Sequence, residues 1–300
     1  TVCRYSRLLP AAGLMLAVFA GAAGARQAQA PTTRRAAPMT VAPLPSATER
    51  VPVDPRITIG RLENGLRYYI RRNPRPAKRA ELRLVINAGS VLEEDDQLGL
   101  AHVVEHMAFN GTKHFAGQEI TGFMESIGMQ FGPNLNAFTT FDDTTFVLQV
   151  PTDRNDILEK AFLILEDWAQ HVTFDGREID KERGVIVEEW RQGRGAGARL
   201  QDKLFPIILE GSRYAARNPI GSRALLETFP HERLKQFYRD WYRTDLMAVV
   251  AVGDFDPPAI EAACRAVERV LARAPRSNHR HRIEHAAVCP PPLARRIAAT

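Results

Sequence analysis

His102, Glu105 and His106 stand on one short, otherwise apolar segment, Gly99-Leu-Ala-His-Val-Val-Glu-His-Met-Ala-Phe109. If the segment is helical, the two histidines, four residues apart, project from one face a single turn apart. Two neutral imidazoles in that relation can grip one zinc ion. Glu105 follows His102 by three residues, so it falls on the same side of the helix, beside whatever fills the metal's open position. Zinc lowers the pKa of a bound water to about 7, and a neighbouring carboxylate acting as general base can take its proton as it attacks a carbonyl. The chemistry predicted is hydrolysis of a peptide bond.

A lone histidine on such a helix would ordinarily be a hydrogen-bonded core or surface group. Burying two histidines and a glutamate without a cation would leave polar groups unpaired, so the setting of Val103, Val104, Met107 and Phe109 favours ligation. Spacing alone is not specific, because His281-Arg-Ile-Glu-His285 has the same letter pattern. That copy lies among Arg276, Arg280 and Arg282, between Pro275 and Pro290-Pro291-Pro292, and lacks a long apolar helix to fix it. Hydrolytic zinc sites usually take three protein ligands, and the best source of the third is Glu182-Arg-Gly-Val-Ile-Val-Glu-Glu189. Glu182 and Glu189 are seven apart and share a helical face, whereas Glu188 points about 100° away from Glu189. Glu189 is therefore assigned as the ligand and Glu182 as the group supporting the site from behind. Without the histidine pair, this segment would read as a solvated helix carrying Asp180, Lys181 and Arg183.

The elements that must position these groups follow from periodicity and turn chemistry. Ile57 to Arg61, Asn64-Gly65 and Leu66 to Arg72 predict a hairpin, and Ala80 to Asn87 a third, alternating strand. Leu98 to Phe109 reads as the helix of the histidine pair, with a stop at Asn110-Gly111. A second hairpin runs from Met129 to Thr139 and from Thr144 to Val150, turning at Phe141-Asp142-Asp143. Helices follow at Asp153 to His171, Gly176 to Arg191, Ala198 to Leu209 and His231 to Trp241, then a strand at Leu246 to Val252 and a helix at Pro258 to Leu271. Strands and helices cluster without strict alternation. The expected class is α+β, a mostly antiparallel sheet packed against helices.

With 300 residues and 45% hydrophobic content, the chain can bury a substantial core. Its formal charge of +5 comes from arginines spread along the chain and densest at Arg71 to Arg79 and Arg273 to Arg282, which reads as solvated surface and not as a nucleic-acid face. Cys3, Cys264 and Cys289 are too few and too scattered for a Cys-based zinc cluster or a disulfide framework, leaving only a Cys264 to Cys289 bridge open. Arg4 and Arg7, an apolar run from Leu8 to Ala23, and small-residue sites at Ala23-Gly24-Ala25 and Ala28-Gln29-Ala30 read as a secretory signal, or else an uncleaved anchor, over residues 1–30. The run is shorter than a membrane span requires. Residues 31–55, rich in Pro, Ala and Thr, read as a linker.

Taken together, these residues resemble the pitrilysin/insulinase metallopeptidases, whose zinc motif has the inverted order seen in His102-Val-Val-Glu-His106. The resemblance runs from about Arg56 to Arg273. It rests also on Met107-Ala-Phe-Asn-Gly-Thr112, Asn136-Ala-Phe-Thr139, Glu182 to Glu189, Gly211-Ser-Arg-Tyr214 and Val252-Gly-Asp-Phe-Asp256. It implies that His102, His106 and Glu189 ligate one Zn2+ per catalytic unit, that Glu105 activates water and that Glu182 supports the site. It also implies that Asn136, Ala137, Phe138 and Thr139 lie on the strand that holds an extended substrate through main-chain hydrogen bonds. The family fold repeats an α+β unit in two homologous halves that close around the substrate. This chain matches one such half, residues 56–273, with 274–300 as a connector toward a second half, in cis or as a separate subunit, whose substrate-contacting Arg and Tyr have no counterpart here. The expected function is a zinc-dependent endopeptidase acting on peptides or unfolded segments, bacterial and periplasmic or secreted, with activity of this half alone uncertain. The family also includes non-catalytic scaffold subunits, against which the intact His102, Glu105, His106 and Glu189 argue. A mitochondrial processing subunit would have an Arg- and Ser-rich amphipathic presequence.

Overall fold

The computed structural model describes residues 52–256 and residue 260, and in it the chain enters the fold through the expected hairpin. β1 (Ile57–Arg61) and β2 (Arg67–Arg72) pair antiparallel across Asn64-Gly65, where Gly65 has a φ of 94° and the Asn64 amide oxygen accepts from the Leu66 N–H. β3 (Arg79–Ile86) buries Ala80, Leu82, Leu84 and Ile86 on one face and pairs Glu81 with Arg83 on the other, which is the period-two pattern written into its sequence.

α1 (Leu100–Met107) follows, then α2 (Glu119–Ser126), β4 (Leu135–Thr139) and β5 (Thr144–Pro151). The chain continues through α3 (Asn155–Gln170), α4 (Gly176–Gln192), α5 (Ala196–Ile208), α6 (Arg223–Thr228) and α7 (His231–Trp241), and reaches β6 (Met247–Gly253). The six strands form one sheet in the order β1-β2-β6-β3-β5-β4, antiparallel throughout except for the parallel pair β2–β6. The expected α+β class is what forms. β6, the last strand in sequence, takes the middle of the sheet, in keeping with its apolar composition (Met-Ala-Val-Val-Ala-Val-Gly).

α1 owes its place to Leu100, Ala101, Val103, Val104 and Met107, all buried, each larger aliphatic contributing about 1.5–3 kcal/mol by leaving water. Its end is fastened by Trp168 of α3, whose indole N–H donates to the Ala108 carbonyl at 3.0 Å while its ring stacks on Phe146 of β5. Just beyond, the Thr112 hydroxyl, the backbone N–H of His114 and the Nδ1 of the same residue converge on the fully buried carboxylate of Asp167.

The sequence reading differs from the structure in several places. β4 begins at Leu135, not Met129, because Gly132 at φ 91° and the amide-free Pro133 fold residues 130–134 into a loop closed by Gly132 N–H to Leu135 O and Asn134 N–H to Gln130 O. α2 was not foreseen, since Gly122 interrupts its short apolar pattern of Ile120, Phe123 and Met124. α6, six residues long, gave no periodic signal. The export signal at 1–30, nearly all of the linker, the helix expected at 258–271 apart from residue 260, the three cysteines, the His281 to His285 pattern and the connector lie outside the described residues. Among the described residues no helix is long and apolar enough to cross a membrane.

The start of α1 depends on two glycines that touch. Gly99 has a φ of 100° and Gly221 one of 75°, and a Cβ on Gly221 would stand 2.4 Å from the Gly99 Cα and 2.6 Å from the Leu98 carbonyl oxygen. Gly221→Ala is expected to lower stability by about 2–4 kcal/mol, combining left-handed strain with overpacking. Gly211→Ala, at φ 79° with open space around it, should cost only about 1–2 kcal/mol. Urea unfolding of the two variants separates contact from conformation, and equal losses would refute the packing argument.

Candidate active site

α1 projects His102 and His106 from one face, with their Nε2 atoms 3.2 Å apart and their rings nearly perpendicular. α4 crosses beneath and brings Glu189 Oε2 to 3.4 Å from His106 Nε2 and 3.8 Å from His102 Nε2. Tetrahedral zinc with bonds of about 2.0–2.1 Å sets its ligand atoms about 3.4 Å apart, so these separations fit a single ion. Among the described residues this is the one trio of histidine, cysteine or carboxylate groups whose ligand atoms converge, all lying within 4.8 Å of one another.

The charges around the trio also suit a cation. His106 Nδ1 donates to Glu182 Oε1 at 2.8 Å, which aims Nε2 at His102 and Glu189. Burial and the neighbouring His106 push His102 down to about 4. Burial also acts to lower His106, but its hydrogen bonds to the Glu182 and Glu189 carboxylates outweigh it and carry this ring up to about 9. The His106 bond in turn holds Glu189 below the usual carboxylate range. Without metal the His106 ring is therefore protonated at both nitrogens between two carboxylates, with His102 neutral. A dication on two imidazole nitrogens and one carboxylate matches that arrangement in both charge and donor type, so the residues present fit zinc.

Glu105 sits at the inner wall, 7% exposed. Burial raises its pKa, opposed by a 2.6 Å hydrogen bond from the Thr139 hydroxyl and by the charge of His106. A hollow of about 190 Å3 opens over these groups, bounded by Glu105, His106, Phe109, Phe131, Asn136 and Ala137. A larger one of about 620 Å3, beside His114, Phe123 and Lys160, contains none of the predicted site residues.

Asn136 to Thr139 form most of β4, the outer strand of the sheet, which pairs with β5 alone among the described strands. Asn136 and Phe138 are exposed. Thr139, the last residue of this strand, also engages Glu105 through its hydroxyl. Sequence reasoning also missed Glu93. Fully buried, it accepts the N–H groups of Gly99 (3.0 Å) and Ala101 (2.9 Å) and so caps α1, while Arg217 and Arg213 donate to its carbonyl oxygen. A glutamate five residues before the predicted helix start was the available signal.

An α+β unit with an inverted His-x-x-Glu-His helix and a glutamate from a second helix is the arrangement of one peptidase class, and comparison with known proteins agrees. Residues 68–205, which include every site residue named above except Glu93's partner arginines, match the family model Insulinase (Peptidase family M16), and residues 228–297 match Peptidase M16 inactive domain. The chain belongs to this insulinase family. It is 47% identical over 196 residues to the zinc protease PQQL-like of Arabidopsis thaliana, covering 65% of this chain and 20% of that protein. It is 43% identical over 211 residues to the probable zinc protease PqqL of Haemophilus influenzae, covering 70% of this chain and 23% of that protein. The crystal structure of the first half of the periplasmic protease PqqL from Escherichia coli superposes with a TM-score of 0.72 at 37% identity, covering 76% of this chain and 49% of that one. The match thus spans about a fifth of the length of these curated relatives.

Burial pushes Glu93 up to about 8 against the pull of the Ala101 and Gly99 amides and the charges of Arg217 and Arg213. Because this folded value lies above the ordinary 4.5, the group's contribution to stability is fully present below pH 4.5 and is lost as pH rises through 8. Glu93→Gln should flatten the decline in unfolding free energy between those limits, as measured by urea titration at a series of pH values. An unchanged slope would mean that the carboxyl is already ionised in the fold.

Proposed function

We propose that this chain is the metal-holding catalytic unit of a zinc-dependent endopeptidase that hydrolyses peptides or unfolded protein segments. The observation that carries this reading is the convergence of His102 Nε2, His106 Nε2 and Glu189 Oε2 beside Glu105, next to a hollow lined by Glu105, His106 and two residues of an edge strand, Asn136 and Ala137. His102, His106 and Glu189 hold the metal, and Glu182 fixes the ring of His106. Zinc, when bound, acidifies the attacking water and polarises the scissile carbonyl.

The chain's own residues do the rest. Glu105 takes the water's proton and returns it to the leaving amine. Its burial raises its basicity toward the working pH, and Thr139 holds Oε2 so that Oε1 is left for the transfer. An extended substrate adds to β4 through main-chain hydrogen bonds along Asn136, Ala137, Phe138 and Thr139. This delivers a carbonyl to the metal with little dependence on sequence.

The domain limits follow the same reading. Residues 1–30 export the protein, 31–55 form the linker, 56–273 are the metallopeptidase unit and 274–300 lead toward a second homologous half, in cis or as another subunit. The periplasmic setting of the similar Escherichia coli protein supports an exported location.

Zinc content and cleavage of an unstructured peptide, measured on the chain and on Glu105→Gln, test the proposal. One zinc per chain is expected in both, with cleavage lowered by about 10^2–10^4-fold in the variant. No zinc in the unaltered chain would refute the metal site. Zinc without cleavage in either protein would make the second half necessary for turnover.

A further inference from the structure

Beneath the metal ligands a chain of amides connects three helices. Gln118, at the start of α2, donates from Nε2 to Asn110 Oδ1 at 2.8 Å. Asn110 Nδ2 donates in turn to Glu182 Oε2 at 2.9 Å, and Glu182 Oε1 faces His106 Nδ1 at 2.8 Å. The same Asn110 amide also donates to the His106 carbonyl at 3.2 Å. Asn110 is buried at 7% exposure, and Gln118 is exposed.

The direction of this chain is fixed by its chemistry. Glu182 as a carboxylate can only accept, so the group against Oε2 must present an N–H. Asn110 could turn its amide over and place oxygen against oxygen, but the Gln118 donor on Oδ1 holds the productive orientation. Glu182 is thereby gripped at both oxygens, by His106 Nδ1 on one and Asn110 Nδ2 on the other. Neither donor belongs to its own helix. Without the second grip the carboxylate could rotate about its terminal torsion and release the imidazole. Asn110 lies three residues past the end of α1, and its side chain folds back onto the last turn through the His106 carbonyl.

We infer that Asn110 is a positioning residue for the metal centre, acting through Glu182 to aim the His106 lone pair at the ion, with Gln118 setting the orientation of its amide. This rests on the reading of His102, His106 and Glu189 as the zinc ligands. Groups of this kind behind a ligating histidine typically govern metal affinity by about 10- to 100-fold.

The test measures zinc affinity by chelator competition on the full chain, together with the metal-free melting temperature and the visible spectrum of the cobalt form. Asn110→Leu and Asn110→Asp should each weaken zinc by about 10- to 100-fold and alter the cobalt spectrum. Metal-free melting should shift by only a few degrees. Gln118→Ala, at an exposed position where folding is not at stake, should weaken zinc by a smaller factor. Pairing N110D with E182Q restores a donor facing an acceptor, with their roles exchanged, and should bind zinc more tightly than N110D alone. Unaltered affinity in both N110D and Q118A, or a double variant no tighter than N110D, would overturn the inference. A separate control, His106→Ala, tests the underlying site. If it binds zinc as well as the unaltered chain, the ligand assignment fails irrespective of Asn110.

Discussion

One imidazole is held at both of its nitrogens by the same helix. Glu182 meets His106 at Nδ1 and Glu189 meets it at Nε2, so two turns of α4 bracket a single ring carried by α1. Seven residues of helix rise about 10.5 Å, and the ring must enter that interval at one height and one rotation. The relative placement of α1 and α4 is therefore constrained far more tightly than apolar packing alone would require. Much of the surrounding structure serves that crossing. Glu93 and the Gly99–Gly221 contact set the entry of α1, and Trp168 holds its exit through the Ala108 carbonyl. α4 is started by Asp175, whose side chain accepts from Arg177 and Glu178. It is kept in place by buried Ile179 and Ile186 and by Arg183, which donates to the carbonyls of Leu226 and Phe229.

The two sides of the proposed metal centre differ in burial, and the difference matches their chemistry. His102 and His106 lie on a helix whose apolar face is packed into the core, and their side chains are only 13% and 20% exposed. Glu189, on a helix with few buried residues, keeps half of its side chain in water. A buried carboxylate in place of Glu189 would pay a desolvation cost whenever the cation was absent. Imidazole can instead go neutral, as His102 does at ordinary pH. The carboxylate ligand therefore sits where water can reach it, and His102, the ligand that sheds its charge, is the most deeply placed of the three, while His106 keeps its charge against Glu182 and Glu189.

How much of this was legible in the sequence depended on the length scale of the signal. β1, β2, β3, α3, α4 and α7 could be read because each carries its period over five or more residues, with turn chemistry such as Asn64-Gly65 at its ends. α2 and α6 could not, since two turns of helix broken by Gly122, or six residues without a cap, fall below what periodicity resolves. The position of β6 between β2 and β3 was likewise hidden, because strand order is decided by non-local pairing. At the site, the i, i+4 histidines and the i, i+7 glutamates were visible because helical geometry converts spacing into direction. The groups that needed the fold to reveal them were partners across elements. Glu93 reaches back to amides six and eight residues on, and Thr139 meets Glu105 from a strand 34 residues away. Asn110 was read as a helix stop because Asn-Gly is a turn signal. Both readings hold at once: the chain does turn at Gly111, φ 122°, and the turning residue lends its side chain to the site.

The hydrogen bond between Thr139 and Glu105 joins the proposed chemistry to the proposed substrate strand. β4 is short, uncharged and unpaired on its outer side within the described sheet, and such edges ordinarily invite pairing. Natural sheets blunt exposed edges with lysine, proline or a bulge, and Leu-Asn-Ala-Phe-Thr contains none of these. The strand ends where its last hydroxyl reaches the carboxylate of α1, so a peptide paired along this edge is carried toward Glu105 by main-chain geometry alone. The same bond fixes the height of the base relative to the strand. An open edge would be a liability on a strand with no use for it. Here the open edge runs beside Glu105 and the three converging ligand atoms, where under the proposed function an extended segment would be bound by its backbone.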